Sequence, residues 1–158
     1  MYLYFHNDRM DGMKTLWIAL FLGWIGVGVS AQDFYQQEIT DDIFARIEGK
    51  SFKVNCTTPR EDLRYLRVLH YNKDREVLEG ELICHKNIAN DLLAIFQELY
   101  KAAYPIERMV LIDEYDADDE ASMRANNTSA FNFRYASGMK RLSSHSTGMA
   151  IDINPLYN

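Results

Sequence analysis

The stretch Ser143-Ser144-His145-Ser146-Thr147-Gly148-Met149-Ala150-Ile151-Asp152-Ile153-Asn154-Pro155 organises the reading of this chain. From Met149 the residues alternate. Met149, Ile151 and Ile153 point to one face of an expected strand, and Ala150, Asp152 and Asn154 to the other. The first face is apolar and suits a core. The second sets a carboxylate beside a small residue, which leaves room for an ion. Gly148 permits a turn that carries His145 back over that face. Imidazole nitrogen and carboxylate oxygen together suit a borderline-soft cation such as zinc.

Immediately upstream, Thr128 to Tyr135 reads as a second strand, with Phe131, Phe133 and Tyr135 on one side and Asn132 and Arg134 on the other. If it lies beside the first, the planar fork of Arg134 can meet a substrate carboxylate or an oxyanion. The alternative is an arginine on a solvent face or in an ordinary ion pair. Before it, Asp113-Glu114-Tyr115-Asp116-Ala117-Asp118-Asp119-Glu120 is the most acidic run. It lacks the glycine that a calcium loop of the EF-hand type needs at its sixth position. A solvated loop opening a helix over Asp118 to Arg124 is expected, broken by Asn126 and Asn127. Met109 to Ile112 reads as a short strand.

Lys86 to Tyr104 is the clearest helix. Its stripe is Ile88, Leu92, Ile95, Phe96, Leu99 and Ala103, with Asn87 as a cap and Pro105 after its end. Asp62 to Tyr71 and Glu76 to Cys84 read as a hairpin around the polar turn Asn72 to Arg75. His70 lies within it and His85 just after it. Both read as half-buried or surface histidines rather than ligands, because no carboxylate stands at motif spacing. Gln32 to Gly49 is a short amphipathic segment with Ile39, Ile43, Phe44 and Ile47 at helical spacing.

The pattern Ser143-x-His145-x-x-Gly148-x-Ala150-x-Asp152-Ile153 resembles the signature of the zinc D-alanyl-D-alanine carboxypeptidase-like family, whose bacterial and phage members cut peptidoglycan stem peptides. Asn154-Pro155-Leu156-Tyr157-Asn158 and Asn127 to Arg134 are similar to its endolysin-like branch of L-alanyl-D-glutamate endopeptidases, and the stretch Tyr65 to Pro105 also resembles the family. The resemblance implies an α+β, hedgehog-like fold: an antiparallel sheet with covering helices, over residues 32 to 158. It implies a zinc cofactor held by His145 and Asp152, a substrate-facing Arg134, and Ser143 as a hydrogen-bonding support near the metal. A third ligand, a later His, and an acid acting as general base are implied as well. The chain has no counterpart of either up to Asn158. The expectation is therefore a piece of a longer zinc peptidase; the alternative is a non-catalytic cell-wall-binding or regulatory domain of the same fold. The endolysin-like residues favour the L-Ala–D-Glu bond over the terminal D-Ala as the bond cut.

Composition agrees with one exported domain. A chain of 158 residues can bury a core, and its 47% hydrophobic and 25% charged residues are ordinary globular values. The net charge of −6 argues against a nucleic-acid partner. Lys14, the apolar run Leu16 to Val29 and the small residues ending at Ala31 read as a signal peptide cleaved before Gln32, with Met13 as the more natural start. The membrane is then met only in transit; an uncleaved anchor is the alternative. Cys56 and Cys84 suit either one disulfide in an exported chain or two buried thiols.

Overall fold

The computed structural model describes residues 33–136 and 138–157. The expected signal peptide, its cleavage site and the Met13 start lie outside them. No helix among the described residues is long and apolar enough to cross a membrane.

The described chain is an α+β unit with one antiparallel sheet in the order β1 (Tyr35–Glu38), β2 (Leu63–Tyr71), β3 (Val77–His85). Helix α1 (Asp41–Ile47) follows β1, α2 (Lys86–Lys101) follows β3, and α3 (Asp119–Arg124) lies in the acidic run. The hairpin β2–β3 pairs Leu63 with His85 and Tyr71 with Val77. Its turn is shaped by Asn72, whose Oδ1 accepts from the backbone nitrogens of Asp74 and Glu76, both at 2.9 Å. A short carbonyl side chain that mimics backbone is why asparagine favours such turns.

Both faces of the sheet are buried, by different means. Leu66, Val68, Leu82 and Cys84 point towards α2 and pack with Ala89, Leu92 and Phe96. Leu63, Tyr65 and Ile83, one residue out of phase, pack with Ile43, Ile47, Leu111, Phe131 and Phe133. The period-2 alternation of a strand thus feeds two cores from one hairpin. Cys84 belongs to the first cluster and Cys56 packs against the second. They are two free thiols, which settles the open alternative against a disulfide.

Several expectations need correction. Gln32 to Gly49 is not one amphipathic segment; β1 occupies its first part, and Thr40 caps α1 by accepting from Ile43 N. The long helix stops at Lys101, and His85 rather than Asn87 caps its start. Its stripe holds at Leu92 and Phe96, while Ile95 faces solvent. Met109 to Ile112 forms no ladder. Its backbone bonds reach Glu81 on one side and the Asn127 side chain on the other.

Thr128 to Tyr135 is extended but is not a ladder strand either, because its backbone nitrogens go to separate partners. Thr128 N donates to Arg108 O, Phe131 N to Ile83 O, Asn132 N to His145 O and Phe133 N to Ser51 O. The expected division of faces fails with it: Asn132 is as buried as the two phenylalanines, and Tyr135 is exposed. Met149 to Asn154 joins this segment by a single antiparallel bridge, Ser129 to Asp152, with both backbone bonds made. Ile151 and Ile153 reach the α2 core as expected, whereas Met149 is exposed.

Candidate functional site

Four pieces of chain meet at His145. The 3-10 turn Ser144–Thr147 carries it, capped by Ser143, whose Oγ accepts from His145 N at 3.3 Å. Ser143 thus acts on the backbone of the turn. Ser146, fully buried, locks the turn to the neighbouring segment: its Oγ donates to Arg134 O at 2.5 Å and accepts from Arg134 N at 2.9 Å. Thr58 Oγ1 holds Ser146 O from a third direction at 3.0 Å.

Gly148 closes the turn in the left-handed region, φ +67°. Its carbonyl accepts from His85 N at 2.9 Å, at the end of β3. A Cβ there would stand 2.7 Å from His85 N and 3.1 Å from the Cys84 carbonyl carbon. Glycine is required twice, by its dihedral and by the approach of backbone to backbone.

The result is a convergent pair. His145 Nε2 lies 3.2 Å from Asp152 Oδ2. The other ring nitrogen, Nδ1, stands 2.7 Å from Ala130 O, which can accept a proton only from a protonated Nδ1. In the neutral ring that bond leaves Nε2 as a lone-pair donor, the arrangement by which ligating histidines are oriented, whereas a direct hydrogen bond to Asp152 needs the ring protonated at both nitrogens. The Asp152 carboxylate holds the His145 pKa above its ordinary value, helped by the Ala130 carbonyl, while burial and Arg134 oppose the rise. In return His145 holds Asp152 below the usual carboxylate range against its partial burial. The His145 side chain is 14% exposed and that of Asp152 50%, so the pair opens to solvent on its carboxylate side.

Zinc sets a geometric requirement on such a pair. Bonds of about 2.0–2.2 Å at a tetrahedral angle place two donors about 3.3–3.5 Å apart. The observed 3.2 Å is just short of that separation and lies within the range of a direct His–Asp hydrogen bond. Among the described residues no group of three His, Cys, Asp or Glu side chains could hold a metal. The pair supplies two donors of the kinds that zinc takes.

Arg134 is brought to the site. Its backbone brackets Ser146, Ser143 N donates to its carbonyl, and its guanidinium pairs with Asp119 Oδ2. Asn132 Nδ2 holds the other oxygen of Asp119 at 3.3 Å and Ala117 O at 3.2 Å. Arg134 is thus in an ion pair, and it lies close enough to the His145–Asp152 pair to act on the His145 charge.

The side chains of His70 and His85 point away from the pair, and His70 is fully buried rather than half-buried or at the surface. His70 is buried with Nδ1 2.8 Å from Ile106 O, and burial pushes its pKa down. His85 Nδ1 accepts from Asn87 N at 3.2 Å.

The sequence pattern does not reveal Asp119, Asn132 or Ser146. The acidic run reads as solvated, yet Asp113 is buried against Ser51 and Asp119 turns inward to Arg134. A lone Asn or Ser gives no motif signal. For Asn132 and Ser146 the only cue is position, two residues before Arg134 and one after His145.

No family model matches the chain, and no curated protein or solved structure matches it.

Proposed function

We propose that this chain carries the metal-binding half of a zinc peptidase acting on peptidoglycan stem peptides, with the hedgehog-like fold of the D-alanyl-D-alanine carboxypeptidase-like family. The observation that carries the reading is the convergence of His145 Nε2 and Asp152 Oδ2, with Nδ1 already committed to Ala130 O. A motif of these residue types brings its two donors to ligand separation on the open side of the domain. When bound, zinc would lower the pKa of a water and polarise the scissile carbonyl. In this reading Asp152 supplies charge, His145 a neutral nitrogen, and Arg134 a positive fork for a substrate carboxylate or the oxyanion. In this reading the pair still needs a third ligand and a general base, and export through the N-terminal segment brings the domain to the wall. The bond between L-Ala and D-Glu is favoured over the terminal D-Ala.

The test is digestion of purified muropeptides by the full-length protein, with products identified by mass spectrometry. His145→Ala and Asp152→Ala should each abolish cleavage. Undiminished cleavage by both variants would sink the reading.

A second reading, a non-catalytic cell-wall-binding or regulatory domain, is favoured by one observation. The pair and the Arg134–Asp119 bridge satisfy one another's charges without a metal. It predicts muropeptide binding that survives EDTA with no cleavage products.

A further inference from the structure

The acidic run and the arginine segment are separate features of the sequence, and the fold joins them at one contact. Asp119 is the first residue of α3 and reaches Arg134 across the site. It does not dangle. Asn132 Nδ2 grips its second oxygen, and Asn132 is itself fixed, being 2% exposed and bonded through its backbone to His145 O. On the arginine side, Nε is buried and has no hydrogen-bond partner among the described residues. Asp119 is thus the carboxylate that holds the guanidinium, and its hold decides where the remaining donors stand. Arginine has long, rotamer-rich geometry, so an unheld guanidinium beside an open site spreads over several positions.

We propose that Asp119, steadied by Asn132, is a positioning residue that fixes the guanidinium of Arg134 beside the His145–Asp152 pair, so that its free edge is preset for the carboxylate of a peptide ligand. This rests on the reading of that pair as the centre of the site. A carboxylate is selected because the fork is planar and charged, and because one side of it is already matched by an aspartate of the same chemistry. The alternative, that Asp119 competes with the ligand for Arg134, predicts the opposite sign when Asp119 is neutralised.

Two measurements on the full-length protein test this. The first follows proton exchange at Arg134 Nε by nitrogen-15 NMR in wild type, Asp119→Asn and Asp119→Glu. Asp119→Asn is isosteric at a partly exposed position, with Asp119→Ser as a second variant should it fail to fold. Exchange should accelerate by about tenfold without Asp119's charge and return towards wild type in Asp119→Glu, since release of a held group exposes it to solvent. Unchanged exchange overturns the proposal. The second compares binding of an N-acetylated L-Ala-D-Glu dipeptide with that of its C-terminal amide. Preference for the acid should fall by about tenfold in Asp119→Asn, the loss of roughly one charge-assisted contact, with amide binding unmoved. An increased preference establishes competition instead and overturns the positioning. A preference present in wild type but insensitive to Asp119→Asn overturns the positioning alone. A wild type without acid preference overturns the carboxylate role of Arg134 as well. Zinc binding by Asp119→Asn at the wild-type level separates these outcomes from failure of the metal reading.

Discussion

Replacing Gly148 by alanine tests the turn on which the whole site depends. Two costs add. A non-glycine residue in the left-handed region costs about 1–2 kcal/mol. The new methyl would also meet backbone, 2.7 Å from His85 N and 3.1 Å from the Cys84 carbonyl carbon. Backbone at the end of β3 cannot rotate away as a side-chain tip can, so overpacking adds about 1–3 kcal/mol. The expected total is about 2–5 kcal/mol. Gly49 provides the control. It has φ +78°, and a methyl added there would meet nothing within 4 Å, so Gly49→Ala should cost about 1–2 kcal/mol for the dihedral alone. Urea unfolding of both variants, followed by circular dichroism, gives the two numbers under one set of conditions. The site should suffer with the fold: Gly148→Ala should weaken any ligand of the His145 turn, whereas Gly49→Ala should not. Equal destabilisation of the two variants would show that the contact of Gly148 with β3 is not what holds the turn.

Other parts of the account are open to simpler checks. His70 is buried with its pKa pushed below the ordinary value, so the unfolded chain takes up a proton that the folded chain refuses as pH falls through about 6.5. The share of stability that depends on His70 should therefore fall from about pH 7.5 towards about pH 5.5, against His145, whose raised pKa adds stability over the same range. His70→Gln, which can still donate to Ile106 O, should gain stability relative to wild type as pH falls; a constant difference would contradict this. Asn127 holds Val110 at both its nitrogen and its carbonyl, at 2.9 and 3.0 Å. Asn127→Ala should cost about 2–4 kcal/mol in urea unfolding, since it strands two backbone groups, and a loss below about 1 kcal/mol would argue that water replaces it. Burial pushes the Cys84 thiol up to about 12, so a thiol reagent at about pH 8 should label it only on unfolding. Rapid labelling of Cys84 in the native protein would contradict its place in the core.

The hairpin, the long helix and the His145–Asp152 pair were legible because each has a local cause. Alternation of Leu63 to Tyr71, the 3.6-residue spacing of Leu92 and Phe96, and a glycine between two donors all act within one element. What was not legible depends on where chain segments cross. Thr128 to Tyr135 has the residues of a strand, but its backbone nitrogens meet different segments, so no ladder forms. Asn126 and Asn127 read as helix breakers. Helix α3 does end just before them, but they are also buried braces: Asn126 holds Glu107 and Leu156 N, and Asn127 holds Val110 and Ser122. Asn154 does the same for Pro105 and Glu107, which fastens the segment carrying Asp152. An asparagine looks alike in sequence whether it caps, turns or braces, and the distinction is made by burial alone. Asp119 is hidden for the same reason, as one acid among neighbours that face water.

Nitrogen-15 NMR of the histidine side chains during addition of zinc to the full-length protein reads the His145–Asp152 pair itself. Nε2 of His145 should move to a metal-bound position while Nδ1 stays protonated against Ala130 O. The same change should be lost in Asp152→Ala. Zinc that shifts His70 or His85 and leaves His145 unmoved would contradict this reading of the pair.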